Sequence, residues 1–449
     1  MFFKSNLLLL WHRTYTSYWF IPLVMSLVGI GLPYLTVQYD LELRDSFFTR
    51  SLAWLNFTDR DVAHQLLTTV ISSIINVISI TFSLTMVVLT MAASQYGPQV
   101  LRNFMEDTST KFVLGTFVST FLYCLLTLRI LGSIDATAPV PFINVALALV
   151  FTMLAVGVLV FFIHHVSQRV QVDVIIKQLS KELLQAIDKL FPSKVGLQPE
   201  ENAQAKKWQP DTAPVAITTP VGGYVQSISG DDMLQQASQN NCVVEVLAKP
   251  GDFVVPGATL ALIHQDQGGS TGTLSDKDRE CLGKLFAIGA RRTPIQDIEY
   301  TLEKISEIAL RALSPGVNEP FVAIKCVDYL SLAMAELSNR EPPDSRRVDS
   351  DGNLRIVVSP VRFEALLHGA FDPVVHYAGS DVNVMQSVIK AIGAIWSQNR
   401  NHSHNPVLEA YLAQLEQVIA GRQWEASQQS QLKDALRGIQ ASQPPGQDA

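Results

Sequence analysis

The chain has 449 residues, of which 48% are hydrophobic, and its mean hydropathy of +0.20 is high for a soluble domain of this length. Residues 1–166 carry eight basic and eight acidic side chains, so the net charge of −7 belongs to residues 167–449. This balance excludes the basic footprint of a nucleic-acid-binding protein. The four cysteines lie far apart without a CxxC pair, which is typical of reduced structural thiols.

Four apolar stretches in the first part are long enough to cross about 30 Å of hydrocarbon. They cover residues 18–37, 66–93, 112–131 and 140–163. Basic residues flank them on one side, before the first span, between the second and third, and after the fourth (Lys4, Arg13, Arg102, Lys111, Arg169, Lys177 and Lys181). The positive-inside rule therefore predicts a multi-pass membrane protein with both termini in the cytoplasm.

The second span carries a continuous polar stripe. Its members recur every three or four residues, with one gap of seven: Gln65, Thr69, Ser72, Asn76, Ser79, Ser83, Thr90 and Ser94. At 100° per residue they fall within an arc of about 80° on one face of a helix. Because amides and hydroxyls are penalised in hydrocarbon, this face is expected to be shielded from lipid.

Two interpretations of the stripe remain open. Small hydroxyl residues commonly pack membrane helices together, which would make the stripe structural. Alternatively, one such helix from each subunit of a homo-oligomer lines a pore for ions or small polar solutes, with Thr69, Ser72, Asn76, Ser79, Ser83 and Thr90 facing the path. The stripe contains no charged ring that would select charge at mid-membrane.

A gate and a hinge are predicted near the inner end of the second span. Met86, together with Phe82 and Val87, is the candidate for a hydrophobic gate. Gly97-Pro98 is expected to break the helix and form a hinge, or simply the turn that leads to the third span.

The part after the fourth span begins with an amphipathic helix at 168–191 and a polar, proline-containing linker. Strands are predicted at 215–218, 223–228, 242–248 and 258–264, with a short helix at 231–239. The segment GDFVVPGATLALI resembles sequences of biotinyl and lipoyl carrier domains, which have a barrel-sandwich fold. The lysine that carries the cofactor in those domains has no counterpart here, so no cofactor is expected.

The remaining sequence is predicted to be mostly helical. A first helix is expected through residue 287, followed by helices at 295–313, 320–337, 382–398 and 406–419, a polar loop at 340–353 and a strand at 354–359. The fold class is therefore a four-helix transmembrane domain joined to a cytoplasmic α+β region. The predicted domains are 1–166 (membrane), 167–213 (helix and linker), 214–270 (β module), 271–440 (helical) and a disordered tail at 441–449.

The sequence lacks the motifs of common catalytic and metal sites, including GxxxxGK[ST] and HExxH, so neither an enzyme nor a metal site is predicted. Two stretches are candidates for a cytoplasmic functional surface. Arg291 and Arg292 precede a helix and are suited to bind an anion or lipid headgroup, or to cap that helix. Arg311, Asn318 and Glu319 belong to the SPGVNEP loop, which is otherwise a tight turn between helices.

Three longer segments resemble the sequences of a bacterial family of membrane proteins known as domain of unknown function 2254. They are ITFSLTMVVLTMAASQYGPQVLRNFMEDTSTKFVLGTFVSTFLYCLL, VGVLVFFIHHV and IALRALSPGVNEPFVAIKCVDYL. The resemblance covers most of residues 1–400. It implies four spans in the inner membrane and a cytoplasmic C-terminal region, and it carries over no activity or site residues.

Two functions follow from these features. The first is a homo-oligomeric channel in which the second span lines a polar path above a cytoplasmic vestibule. The second is a membrane-anchored sensor or scaffold that binds a ligand or protein through its cytoplasmic domains, with the polar stripe buried inside a single four-helix bundle. The orientation of the stripe distinguishes the two.

Overall fold

A computed structural model of the chain describes residues 19–42, 59–97, 107–134, 140–169, 171–191, 214–265, 276–340, 345–359, 361–379, 381–400 and 402–441. Internal contacts divide the chain into two units, Met1–Ile175 and Ile176–Ala449. Except for Ala441, the predicted disordered tail lies outside the described residues. The predicted boundaries at 213 and 440 stay predictions.

Among the described residues, the first unit contains four helices, and they coincide with the predicted spans. They are α1 (Phe20–Glu42), α2 (Arg60–Tyr96), α3 (Thr108–Ser133) and α4 (Phe142–Arg169). Each is long and apolar enough to cross a membrane. Asp59 and Asp107 accept hydrogen bonds from the first-turn amides of α2 and α3, which explains where these two helices begin.

Helix α3 packs against the other three helices of this unit. Two small residues let α1 approach it closely. A Cβ at Gly29 would lie 2.6 Å from the carbonyl oxygen of Ser119, and one at Gly115 would lie 2.6 Å from the sulfur of Met25. Small residues at helix contacts are the usual means of close packing in membranes.

Polar side chains connect the helices of this unit by donating hydrogen bonds to backbone carbonyls of a neighbouring helix. Asn144 Nδ2 donates to the carbonyl of Pro33 at 3.0 Å, and the Tyr123 hydroxyl donates to the carbonyl of Asn144 at 3.3 Å. The guanidinium of Arg60 donates to carbonyls at the end of α3, those of Leu131 and Ile134. Buried backbone groups are thus satisfied by side chains from neighbouring helices.

The second unit continues with α5 (Val172–Leu190), which is separate from α4, and then forms two β-sheets. The strands are β1 (Val215–Thr218), β2 (Gly223–Ile228), β3 (Cys242–Val246), β4 (Phe253–Val254), β5 (Thr259–Gln265), β6 (Phe286–Gly289), β7 (Arg346–Val348) and β8 (Leu354–Val358). One sheet has the order β1-β5-β3-β8-β7 and the other β4-β2-β6. Only β3 and β8 pair in parallel among these described strands; the other pairs are antiparallel.

The strands come from both sides of residue 270, the predicted end of the β module. The prediction of a helix through residue 287 is wrong, because α7 (Asp276–Gly283) ends early and β6 pairs with β2 instead. The predicted loop at 340–353 contains β7, which pairs with β8. Long-range pairing overrides the local helical pattern here. The described strands form two open sheets and do not show a closed barrel, so the barrel-sandwich interpretation is not confirmed.

The other helices of this unit are α6 (Gly230–Gln239), α8 (Ile298–Ala312), α9 (Pro320–Ser338), α10 (Phe363–Tyr377), α11 (Val382–Gln398), α12 (Asn405–Gly421) and α13 (Ala426–Ala441). Helix α6 and the larger sheet share an apolar core around Met233, Val244 and Ile356. Helix α9 packs against α8 and α11. The hydrophobic pattern alone does not predict α13, because Leu432 and Leu436 are the only buried side chains among the described residues of this helix.

Candidate functional site

The polar stripe of α2 faces away from the helices of its own protomer. All six predicted pore-lining residues are exposed, as is Gln65: Thr69, Ser72, Asn76, Ser79, Ser83 and Thr90. The opposite face, with Ala63, Leu67 and Ile74, is buried. The sensor hypothesis required this stripe to lie inside a single four-helix bundle, and that part of it is wrong. The physical reason is that the buried face of α2 is apolar and packs against α3 and α4.

Most hydroxyls of the stripe donate to the backbone of their own helix. Thr69 Oγ1 donates to the carbonyl of Gln65 at 2.8 Å, and Ser79 Oγ to that of Ile75 at 3.0 Å. Such bonds lower the cost of a hydroxyl in an apolar environment. The Asn76 carboxamide has two donors and an acceptor oxygen, and it makes no hydrogen bond with the residues that the structure describes. Asn76, like Gln65 at the start of the stripe, therefore has a carboxamide without a described hydrogen-bond partner, and Asn76 lies nearer the middle of α2.

The N-terminal half of α2 carries a polar surface wider than the predicted stripe. An open hollow of about 470 Å³ lies there, and every residue that lines it is polar: His64, Gln65, Thr68, Thr69, Ser72, Ser73 and Asn76. Thr68 and Ser73 lie outside the 80° arc and broaden the polar face to about 140°. The sequence pattern contained these residues, but it did not show that they share one exposed surface.

The C-terminal half of α2 exposes apolar side chains beside the stripe. Phe82, Met86 and Val87 are 57%, 49% and 55% exposed. At 100° per residue, Val87 lies about 20° from Asn76, whereas Met86 lies about 80° away on the other side. Val87 therefore occupies the gap between Ser83 and Thr90, and it is better aligned with the stripe than the predicted gate residue Met86.

Helix α2 ends immediately before the predicted hinge. Tyr96 is its last residue, and Gly97 follows with φ of 92°, donating its N–H to the carbonyl of Ala93 at 3.2 Å. Positive φ is readily adopted by glycine, which explains the termination. Pro98 lies outside the described residues, and hinge motion stays a prediction.

Arg292 is held by carboxylates of its own unit. Its guanidinium binds Asp297 through Nε at 2.8 Å and Nη2 at 3.0 Å, and it binds Glu303 through Nη1 at 2.6 Å. Burial disfavours the charged guanidinium, but the hydrogen bond and charge of Asp297 outweigh it and raise the pKa of Arg292. Asp297 also caps α8 by accepting from the amide of Tyr300. This network favours the capping interpretation of Arg292 over anion binding, while neighbouring Arg291 is exposed.

The SPGVNEP candidates lie at the other end of α8. Since α8 has 15 residues, this end is about 20 Å from Arg291 and Arg292. Arg311 pairs with Glu307 at 2.8 Å, one turn earlier. Asn318 adopts a left-handed φ of 50°, and Glu319 is exposed. The predicted tight turn is confirmed, but the five predicted surface residues do not form one site.

A cavity that the sequence analysis does not predict lies beside the larger sheet of the second unit. Its volume is about 350 Å³, and the residues around it are mostly apolar. The walls include Phe191, Met233, Leu234, Ile356 and Val358. Both the size and the apolar character fall within the range of small-molecule sites. No group of three or more His, Cys, Asp or Glu suited to a metal ion is found among the described residues.

The four apolar helices and the mixed α/β unit define a class of multi-span membrane protein with a large extramembrane part. A family model described as "Predicted membrane protein (DUF2254)" matches residues 15–394. The chain belongs to this family. An uncharacterized protein of Mycobacterium bovis and one of Mycobacterium tuberculosis are each 28% identical to it over 392 residues, covering 86% of this chain and 73% of theirs. No solved structure matches the chain.

Proposed function

We propose that the chain forms a homo-oligomeric channel in which α2 of each subunit lines a path for ions or small polar solutes. The observation that carries this proposal is the exposure of the polar face of α2. An amide buried without a hydrogen bond costs about 1–3 kcal/mol by protein mutational data. Contact with water or with another subunit removes this cost for Asn76, whereas contact with acyl chains does not.

The exposed polar face begins at the outer end of α2, around His64 and Gln65, and reaches Ser94 near its inner end. Several copies around an axis would therefore enclose a polar path through most of the apolar layer. No Asp, Glu, Lys or Arg occurs between Gln65 and Ser94. The proposed path consequently distinguishes solutes by size and hydration more than by charge. The proposal includes no catalytic step and no nucleic-acid partner.

The experiment compares solute release from proteoliposomes for the wild type, Asn76→Leu and Ile75→Leu. Ile75 is exposed on α2 about 100° away from Asn76, which makes it a matched control. We expect Asn76→Leu to lower release of a small polar dye about tenfold or more, because a bulky apolar group dewets the path. The control should retain wild-type release. Equal release from all three proteins, or a monomer by light scattering, would contradict the proposal.

We further propose that the protein lies in the inner membrane with its C-terminal unit in the cytoplasm. The basic flanks, including Lys111, Lys177 and Lys181, support this orientation. Cys281 provides a test, because it is exposed while the other three cysteines are buried. A membrane-impermeant maleimide should label Cys281 only after spheroplasts are lysed. Labelling of intact spheroplasts would reverse the proposed orientation.

A second candidate function is a membrane-anchored sensor that binds a ligand in its C-terminal unit. The observation that favours it is the cavity of about 350 Å³ beside the larger sheet. This function does not depend on the pore, and one protein can combine both. Protection of the cavity residues by a bound molecule is its direct test.

A further inference from the structure

The cavity of the C-terminal unit lies at the carboxyl end of the parallel strand pair. Val246 and Val358 are paired in register, end β3 and β8, and both line the cavity. The carboxyl ends of parallel strands are a recurrent position for ligands, because the connections that follow diverge and leave a crevice. Helix α6 contributes Met233 and Leu234 to the same walls.

Charged side chains surround the entrance to this apolar space. Two of the carboxylates are already neutralised: Asp297 by Arg292, and Glu299 by Lys249 at 3.0 Å. Asp231, in the first turn of α6, makes no ion pair with the described residues. These contacts leave one carboxylate at the entrance without a counter-charge.

The two cationic side chains that line the cavity, Arg347 and Lys249, have more N–H donors than the described residues accept. Arg347 is exposed, and its guanidinium makes no hydrogen bond or ion pair with the described part of the chain. Its guanidinium offers five N–H donors. The Lys249 ammonium offers three, and Glu299 is its only side-chain partner among the described residues. Two cationic groups thus retain free donors, against the single unpaired carboxylate of Asp231.

We propose that this cavity binds a small amphiphile whose apolar part contacts Met233, Ile356 and Val358 and whose single anionic group is held by Arg347 and Lys249. The walls supply apolar contact, and the two cations supply charge-assisted hydrogen bonds. A polyanion such as a nucleoside triphosphate fits less well, since the unpaired carboxylate of Asp231 lines the same cavity. The inference rests on the second candidate function, ligand binding by the C-terminal unit, and is independent of the pore.

The test measures protection of a thiol at the edge of the cavity in the full-length protein in lipid nanodiscs. Ser359 lines the cavity and is exposed, so Ser359→Cys in a Cys281→Ser background gives a reporter with little change in volume. Maleimide labelling is followed with octanoate, octanol, octylammonium or inorganic phosphate present. Octanoate should slow labelling about tenfold with a saturable dose response, and the other three much less.

Arg347→Gln in the same background should raise the half-protecting octanoate concentration about tenfold. The matched control is Arg291→Gln, an exposed arginine that does not line the cavity, and it should leave that concentration unchanged. Equal protection by octanol, preferential protection by octylammonium or phosphate, or no effect of Arg347→Gln would overturn the anionic-amphiphile assignment while leaving ligand binding intact. No protection by any of the four probes would overturn both the assignment and the sensor function.

Discussion

Replacement of Gly251 by alanine is expected to destabilise the C-terminal unit strongly. Gly251 has φ of 100°, and a Cβ there would collide with Asp297 Oδ2 and lie 2.9 Å from Asp297 Cγ. Asp297 is only 3% exposed, caps α8 and binds Arg292 through two hydrogen bonds. The added methyl group therefore displaces a buried carboxylate from both of its partners.

The magnitude follows from two contributions. Positive φ in a residue other than glycine costs about 1–3 kcal/mol. Breaking a buried ion pair costs about 3–5 kcal/mol, because one charge is left uncompensated. Gly257 allows the cost of positive φ to be measured without the collision, since its φ is 86° but a Cβ there would meet nothing within 4 Å. Gly257→Ala should show only the first contribution, and Gly251→Ala both.

The assay is thermal unfolding of the full-length protein in detergent, followed by tryptophan fluorescence. At about 2–4 °C per kcal/mol for a large domain, Gly251→Ala should unfold about 6–20 °C below Gly257→Ala. Limited trypsin digestion at a fixed temperature should rank the two variants in the same order. Equal melting temperatures would refute the reasoning, because the collision with Asp297 would then carry no energy.

Three further outcomes follow from the structure. Gly29→Leu should lower the thermal stability of the detergent-solubilised protein, because its side chain would meet Ser119, whereas Gly31→Leu, which faces open space, should not; equal effects would argue against close α1–α3 packing. Burial alone would raise the pKa of Asp349, but the hydrogen bond from Arg355 outweighs it and holds this pKa far below its ordinary value of 3.8. The stability that the Asp349 carboxylate contributes is therefore present above about pH 4 and is lost as the pH falls further. Asp349→Asn should flatten that acid dependence in pH-dependent melting curves, and an unchanged slope would exclude Asp349 as its source. Burial raises the pKa of Cys242 to about 11, so a thiol reagent at pH 8 should modify Cys281 at least tenfold faster than Cys242. Peptide mass mapping measures the two rates, and equal rates would contradict the burial of Cys242.

Hydropathy located the four long apolar helices that the structure describes. A span can be recognised from about 20 consecutive apolar residues, without knowledge of any tertiary contact. The period of the polar stripe on α2 was equally visible in the sequence. Sequence reasoning failed where distant segments pair. Residues 286–289 form β6 only because β2 offers an edge, and β7 forms only beside β8. The local sequence pattern of a segment does not show which distant strand it will pair with.

The sequence alone determined which face of α2 is polar, since the 3.6-residue period of a helix fixes the relative directions of its side chains. Only the tertiary structure decided that this face points outward, because the direction depends on which surface of α2 packs against α3 and α4. The cavity beside β3 and β8 is likewise a product of tertiary structure. Its walls come from α5, α6, β3 and β8, segments more than 150 residues apart at their extremes, which only folding brings together.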